Sequence, residues 1–155
     1  MPISITSLEE LSLFAESFLS ELPQGACVTL KGTLGAGKTT FVRACVDYLA
    51  TDTDRRSIRV TSPSFVIHQR YPGLRQPVEH FDLYRLENVT PAALIEIGYY
   101  DALEQARKRH GFVFVEWPEK VVNESDLRAG IHVEFALEGT RRLLSITKDS
   151  KFEFL

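Results

Sequence analysis

A chain of 155 residues, 44% hydrophobic and 25% charged, has the composition of an ordinary globular protein and the length of one domain, so a single domain over 1–155 is expected. Its formal net charge of −3 argues against a chain that grips RNA by itself, because such proteins present a basic face. No apolar run approaches the roughly 20 residues that cross a bilayer, and no basic stretch followed by an apolar one opens the chain, so a cytoplasmic location is expected.

The first element is a helix from Ser7 to Leu22, with Leu8, Leu11, Ala15, Phe18, Leu19 and Leu22 on one face. Two capping boxes are open at its start, Thr6-x-x-Glu9 and Ser7-x-x-Glu10. Pro23-Gln24-Gly25 ends it, and the apolar run Ala26–Leu30 predicts a buried strand. Gly32-Thr33-Leu34-Gly35-Ala36-Gly37-Lys38-Thr39 follows and fits G-x-x-x-x-G-K-[ST], a phosphate-binding loop. Its glycines let the backbone wrap a triphosphate with N–H groups turned inward. Lys38 brings a positive charge to the β- and γ-phosphates, and the Thr39 hydroxyl offers a ligand to Mg²⁺. Thr40 to Leu49 has the spacing of an amphipathic helix, whose N-terminal end favours an anion.

A polar connection over 51–57 carries Arg55 and Arg56. Ile58–Val60 predicts a short strand leading to Thr61-Ser62-Pro63-Ser64, a hydroxyl-rich segment that suits a γ-phosphate switch or, equally well, a simple ST-turn. Strands are expected over Phe65–Tyr71 and Pro77–Asp82. Thr90-Pro91 is an N-cap with proline at the first helical position, and Gly98 closes that helix. A second helix is expected over Asp101–His110 with Gly111 as its stop. Phe112-Val113-Phe114-Val115 is continuous apolar sequence, the pattern of a central strand buried on both faces. Ile131–Leu137 alternates and, with a turn at Glu138-Gly139-Thr140 and a return over Arg141–Lys148, predicts a hairpin. The sum is an α/β sandwich with a largely parallel central sheet and a C-terminal antiparallel hairpin.

Cys27 and Cys45 read as small buried hydrophobes, and the four histidines show no zinc spacing with them. A triphosphate site needs a carboxylate at the end of a strand beside the loop. Glu116, straight after the apolar run, is the first candidate, and Asp82, in His80-Phe81-Asp82-Leu83-Tyr84-Arg85, is the second. A guanine-reading Asn-Lys-x-Asp element is missing: Thr147-Lys148-Asp149-Ser150 places its aspartate one residue early. No Asp-x-x-Gly switch is present either, so ATP is favoured over GTP.

The strings LKGTLGAGKTTFVRA, TSPSFVI, HFDLYRL, IEIGYYDAL and VEWPEK occur in that order. Together they resemble the TsaE-type ATPases of bacterial tRNA threonylcarbamoyladenosine biosynthesis, from about Thr6 to the terminal hairpin. The resemblance implies a P-loop NTPase three-layer sandwich that binds and slowly hydrolyses ATP with Mg²⁺. It also implies protein partners, a transferase complex that installs threonylcarbamoyl on tRNA adenosine next to the anticodon, with tRNA reached only through that complex. By the same resemblance, Gly35, Ala36, Gly37, Lys38, Thr39 and Thr40 hold the phosphates, Thr39 and Glu116 serve Mg²⁺, and Lys38, Asp82 and Glu116 carry hydrolysis. Thr6, Thr140 and Arg141 flank the nucleotide; Tyr84 and Arg85 belong to the motif without an assigned role. The chain departs from the family at Ser64, commonly threonine, and at Thr33, commonly acidic. The alternatives are a small-molecule kinase of the P-loop class and a nucleotide-gated binding module with negligible turnover.

Overall fold

A computed structural model describes residues 1–51 and 66–149. The strand expected at 58–60, the Thr61-Ser62-Pro63-Ser64 segment and the pair Arg55 and Arg56 lie outside the described residues.

Among those described, seven strands form one sheet: β1 (Ile3–Ile5), β2 (Cys27–Gly32), β3 (His68–Tyr71), β4 (Val78–Asp82), β5 (Phe112–Glu116), β6 (Ile131–Glu138) and β7 (Arg141–Lys148), in the order β1-β7-β6-β2-β5-β4-β3. The central strands β6, β2, β5 and β4 are parallel, and β3, β7 and β1 add antiparallel edges. The sequence pattern dictates this centre. Cys27 to Leu30 and Phe112 to Glu116 are buried at every position, as strands covered on both faces must be.

Strand alternation divides the core in two. Val28, Leu30, Phe112 and Phe114 face α1 (Leu8–Glu21) and α2 (Lys38–Leu49), whose Ala15, Phe18, Phe41, Val42 and Val46 pack against them. Cys27, Val113, Val115 and Phe81 face the other way, onto α3 (Pro91–Glu96) and α4 (Tyr99–Lys108) through Leu94, Tyr99, Ala102 and Ala106. Three layers result, as expected from the sequence. Both cysteines are free and buried.

The helix starts show how local chemistry sets the boundaries. Of the two capping boxes, the one on Ser7 forms: Glu10 N–H donates to Ser7 Oγ at 3.1 Å. The Glu10 carboxylate reaches back one residue further than the motif predicts, accepting from Thr6 N–H at 2.7 Å and the Thr6 hydroxyl at 2.9 Å. At α3, Thr90 caps and Pro91 opens the helix as the sequence predicts. Gly98, expected only as a stop, is also the left-handed cap from which α4 begins directly at Tyr99. The helix after the phosphate loop starts at Lys38, two residues before the apolar spacing indicates, because Gly37 at φ 110° turns the chain into it.

β1 was not expected from the sequence; three residues at a sheet edge carry no period of their own. It matters because Ile5 pairs with Arg142, which joins the N-terminus to the hairpin.

Candidate functional site

The site lies at the carboxyl ends of the parallel strands, where a doubly covered sheet opens a crevice. β2 ends in the phosphate loop, β4 in Asp82 and β5 in Glu116, and the register pairs Leu30 with Glu116 and Glu116 with Asp82. One cavity is lined by residues 34–40 together with Arg43, Asp82, Tyr84, Glu116 and Trp117. The loop thus meets Asp82 and also Glu116, which lies 77 residues beyond Thr39 in sequence.

The loop backbone needs its glycines. Gly35 and Gly37 hold φ of 79° and 110°, and a Cβ on Gly32 would stand 2.7 Å from the Phe135 carbonyl. Such a conformation turns successive N–H groups to one side, the geometry of an anion-binding nest. A Cβ on Gly35 would meet nothing, so that side of the loop is open to a ligand.

Lys38 lies along the loop. Its ammonium donates to the carbonyls of Gly32 and Thr33, the latter at 3.2 Å, and sits 4.0 Å above the Trp117 ring. Burial lowers its pKa, an effect opposed by the charges of Glu116, Glu119 and Asp82. Thr39 donates its hydroxyl to Glu116, 3.0 Å from both carboxylate oxygens. His80 Nε2 lies 2.6 Å from Glu116 Oε2. Asp82 accepts the Tyr84 N–H at 2.9 Å, and burial raises its pKa.

Trp117 follows Glu116 at φ 61°, a left-handed conformation rare for a large residue. Pro118 comes next, and the turn brings the indole against Tyr84, with ring centroids 4.9 Å apart. Tyr84 is thereby placed on the cavity wall, a role its sequence motif does not reveal.

Thr6, Thr140 and Arg141 do not line the cavity. Thr6 bonds to Glu10, and Arg141 pairs with Glu138 across the hairpin turn. The neighbouring Arg142 does touch the loop: its Nε donates to the Ala36 carbonyl at 3.0 Å, with a Cβ on Gly37 excluded at 2.8 Å. No sequence motif assigns a site role to Arg142 or His80. The signal for His80 was strand alternation, which puts it on the same face as Asp82.

The model of the family described as "Threonylcarbamoyl adenosine biosynthesis protein TsaE" matches residues 5–143. The chain belongs to the TsaE family. Its relatives include proteins named tRNA threonylcarbamoyladenosine biosynthesis protein TsaE. That of Rickettsia conorii is 30% identical over 96% of this chain and 78% of its own length, and that of Rickettsia prowazekii 29% over 98% and 99%. A Nostoc TsaE is 32% identical over 78% of this chain and 70% of its own. The crystal structure of Bacillus subtilus YdiB superposes with a TM-score of 0.65 over 99% of this chain and 88% of that one, at 22% identity, which bears on the fold alone. TsaE proteins serve tRNA threonylcarbamoyladenosine biosynthesis, so the family places this chain in tRNA modification. No helix among the described residues is long and apolar enough to cross a membrane.

Proposed function

We propose that this TsaE protein binds ATP with Mg²⁺ in the loop cavity and hydrolyses it slowly, in support of the transferase complex that installs threonylcarbamoyl on tRNA adenosine. In this reading residues 1–155 act as one ATPase domain in the cytoplasm, and its partners are the proteins of that complex. The observation that carries the reading is the Thr39–Glu116 contact at the end of a glycine-formed loop.

The donor set suits Mg²⁺. A hydroxyl and carboxylates are hard oxygen ligands. Among the described residues no group of three or more His, Cys, Asp or Glu could hold a metal unaided. In this reading the ion is held through one carboxylate and the phosphates it accompanies. Thr39 and Glu116 would hold it, where it would neutralise charge developing on the phosphate oxygens.

The other residues divide the remaining work. Gly35 to Thr40 offer backbone N–H groups and the start of α2 to the phosphates. Lys38 leaves its two carbonyls and places its ammonium against them. Asp82 lines the same cavity as the loop and, with its pKa raised by burial, takes a proton more readily than an exposed aspartate, which suits a general base towards an attacking water. Thr6, Thr140 and Arg141 remain candidates for flanking the base, since β1 and β7 meet beside Arg142, which touches the loop.

Lys38 bears on binding: its ammonium is engaged on the protein's own carbonyls and the Trp117 ring, and nucleotide binding must exchange those contacts for the phosphates. Slow hydrolysis, with a nucleotide-gated module of negligible turnover as its limit, belongs to the reading through the family alone. The decisive experiment is ATP hydrolysis by the purified chain, with and without Mg²⁺ and the transferase proteins. Partner-stimulated, Mg²⁺-dependent phosphate release is expected; absence of ATP binding by calorimetry would overturn the reading.

A further inference from the structure

Glu116 is held from two sides, and only one of them is explained by the nucleotide. At the cavity, Thr39 Oγ1 is equidistant from both carboxylate oxygens. Behind it, His80 Nε2 meets Oε2 alone, at 2.6 Å. His80 is 0% exposed and Glu116 2%. His80 stands on β4 opposite Phe114 while Asp82 stands opposite Glu116, so the ring approaches from the neighbouring strand, fixed by the sheet itself.

Glu116 accepts the Thr39 hydroxyl and so acts here as an acceptor, which assigns Nε2 as the donor in this contact. Nδ1 has no partner among the described residues. A residue present for packing alone would carry no nitrogen to bury unpaired, since an unmade buried hydrogen bond is costly. The ring's chemistry is therefore spent on Glu116. A carboxylate at a strand end with nothing behind it can rotate. Anchoring Oε2 removes that freedom and holds the carboxylate plane fixed, with both oxygens within reach of the Thr39 hydroxyl. Partners of this kind, standing behind a ligating carboxylate, orient it and tune its affinity.

We infer that His80 is a positioning residue: it binds Oε2 of Glu116 and so fixes the orientation in which the carboxylate is presented to the metal of the bound nucleotide. This rests on the Mg-ATP reading above. It adds a residue that contacts neither metal nor phosphate but decides how the metal is met.

Trp117, the only tryptophan, reports the site through the Lys38 ammonium over its ring. Its emission would be followed while ATP is added without metal, and while Mg²⁺ is titrated at fixed ATP, in the wild type, His80→Leu and His80→Gln. Glutamine can return an N–H to the Nε2 position; leucine cannot. ATP binding without metal should be unchanged in all three. The Mg²⁺ midpoint should rise about tenfold or more in His80→Leu and return to within about threefold of wild type in His80→Gln. An unmoved midpoint in folded His80→Leu overturns the inference, as does equal loss in both variants or loss of metal-free binding, each of which assigns His80 to packing. If His80→Leu fails to fold by circular dichroism, the His80→Gln midpoint decides, and a shift beyond that threefold range overturns the inference. A wild type that binds ATP with no response to Mg²⁺ overturns the metal reading instead, and this inference with it.

Discussion

The Thr39 hydroxyl lies 3.0 Å from each oxygen of Glu116, across 77 residues of sequence. The contact joins the first turn of α2 to the end of β5, two elements that meet only because β2 and β5 are parallel neighbours. Replacing the carboxylate by an amide keeps its size and one acceptor but removes the charge. Glu116→Gln should fold and bind nucleotide, while Mg²⁺-dependent hydrolysis falls by at least about tenfold. Phosphate release beside a calorimetric titration checks both halves.

Lys38→Ala should weaken ATP binding by about tenfold to a hundredfold, the worth of a charge-assisted hydrogen bond to phosphate. The circular-dichroism melt should move little. The ammonium lost is one that burial already disfavours, and its partners are two loop carbonyls and the Trp117 ring rather than the core.

Asp82 gives a pH dependence with a definite sign. Burial raises its pKa above the ordinary 3.8, so the folded state holds this proton where the unfolded chain has released it. Its contribution to stability therefore declines as pH rises from 3.8 through the folded pKa, and then levels off. Asp82→Asn carries no such cost and can still accept the Tyr84 N–H. Its melting temperature should exceed that of the wild type at neutral pH, and the gap should close as pH falls towards 3.8. A gap independent of pH would assign the effect to packing.

Gly37→Ala tests the loop backbone. At φ 110° a side chain costs about 1–2 kcal/mol, and its Cβ would press on Arg142 at 2.8 Å. Nucleotide binding should fall, and adding Arg142→Ala should recover only part of it, because the backbone strain remains. Full recovery would show that the clash alone matters.

Phe41 ties the site to the core. It is fully buried, and its ring meets those of Phe14, Phe18, Phe114 and Phe135 at 5.4–6.1 Å. Phe41→Ala should cost about 3–5 kcal/mol in denaturant unfolding. Nucleotide affinity should suffer as well, since the residue lies two positions from Thr39 on the same helix.

The amino-acid sequence by itself determined the loop, the two carboxylates and the central sheet. These signals are local: a motif of contiguous residues, an unbroken apolar run before Glu116, and helical spacing in α1 and α2. The family was legible for the same reason, in strings such as HFDLYR and VEWPE. Tertiary structure alone decided what these residues touch. That Lys38 rests on Trp117, that His80 backs Glu116, and that Arg142 and not Arg141 reaches the loop all depend on strand register. Register is a property of pairs distant in sequence, and a one-residue slip turns every side chain to the opposite face. Alternation along β4 placed His80 beside Asp82 on one face, but only the pairing of β4 with β5 put Glu116 within its reach.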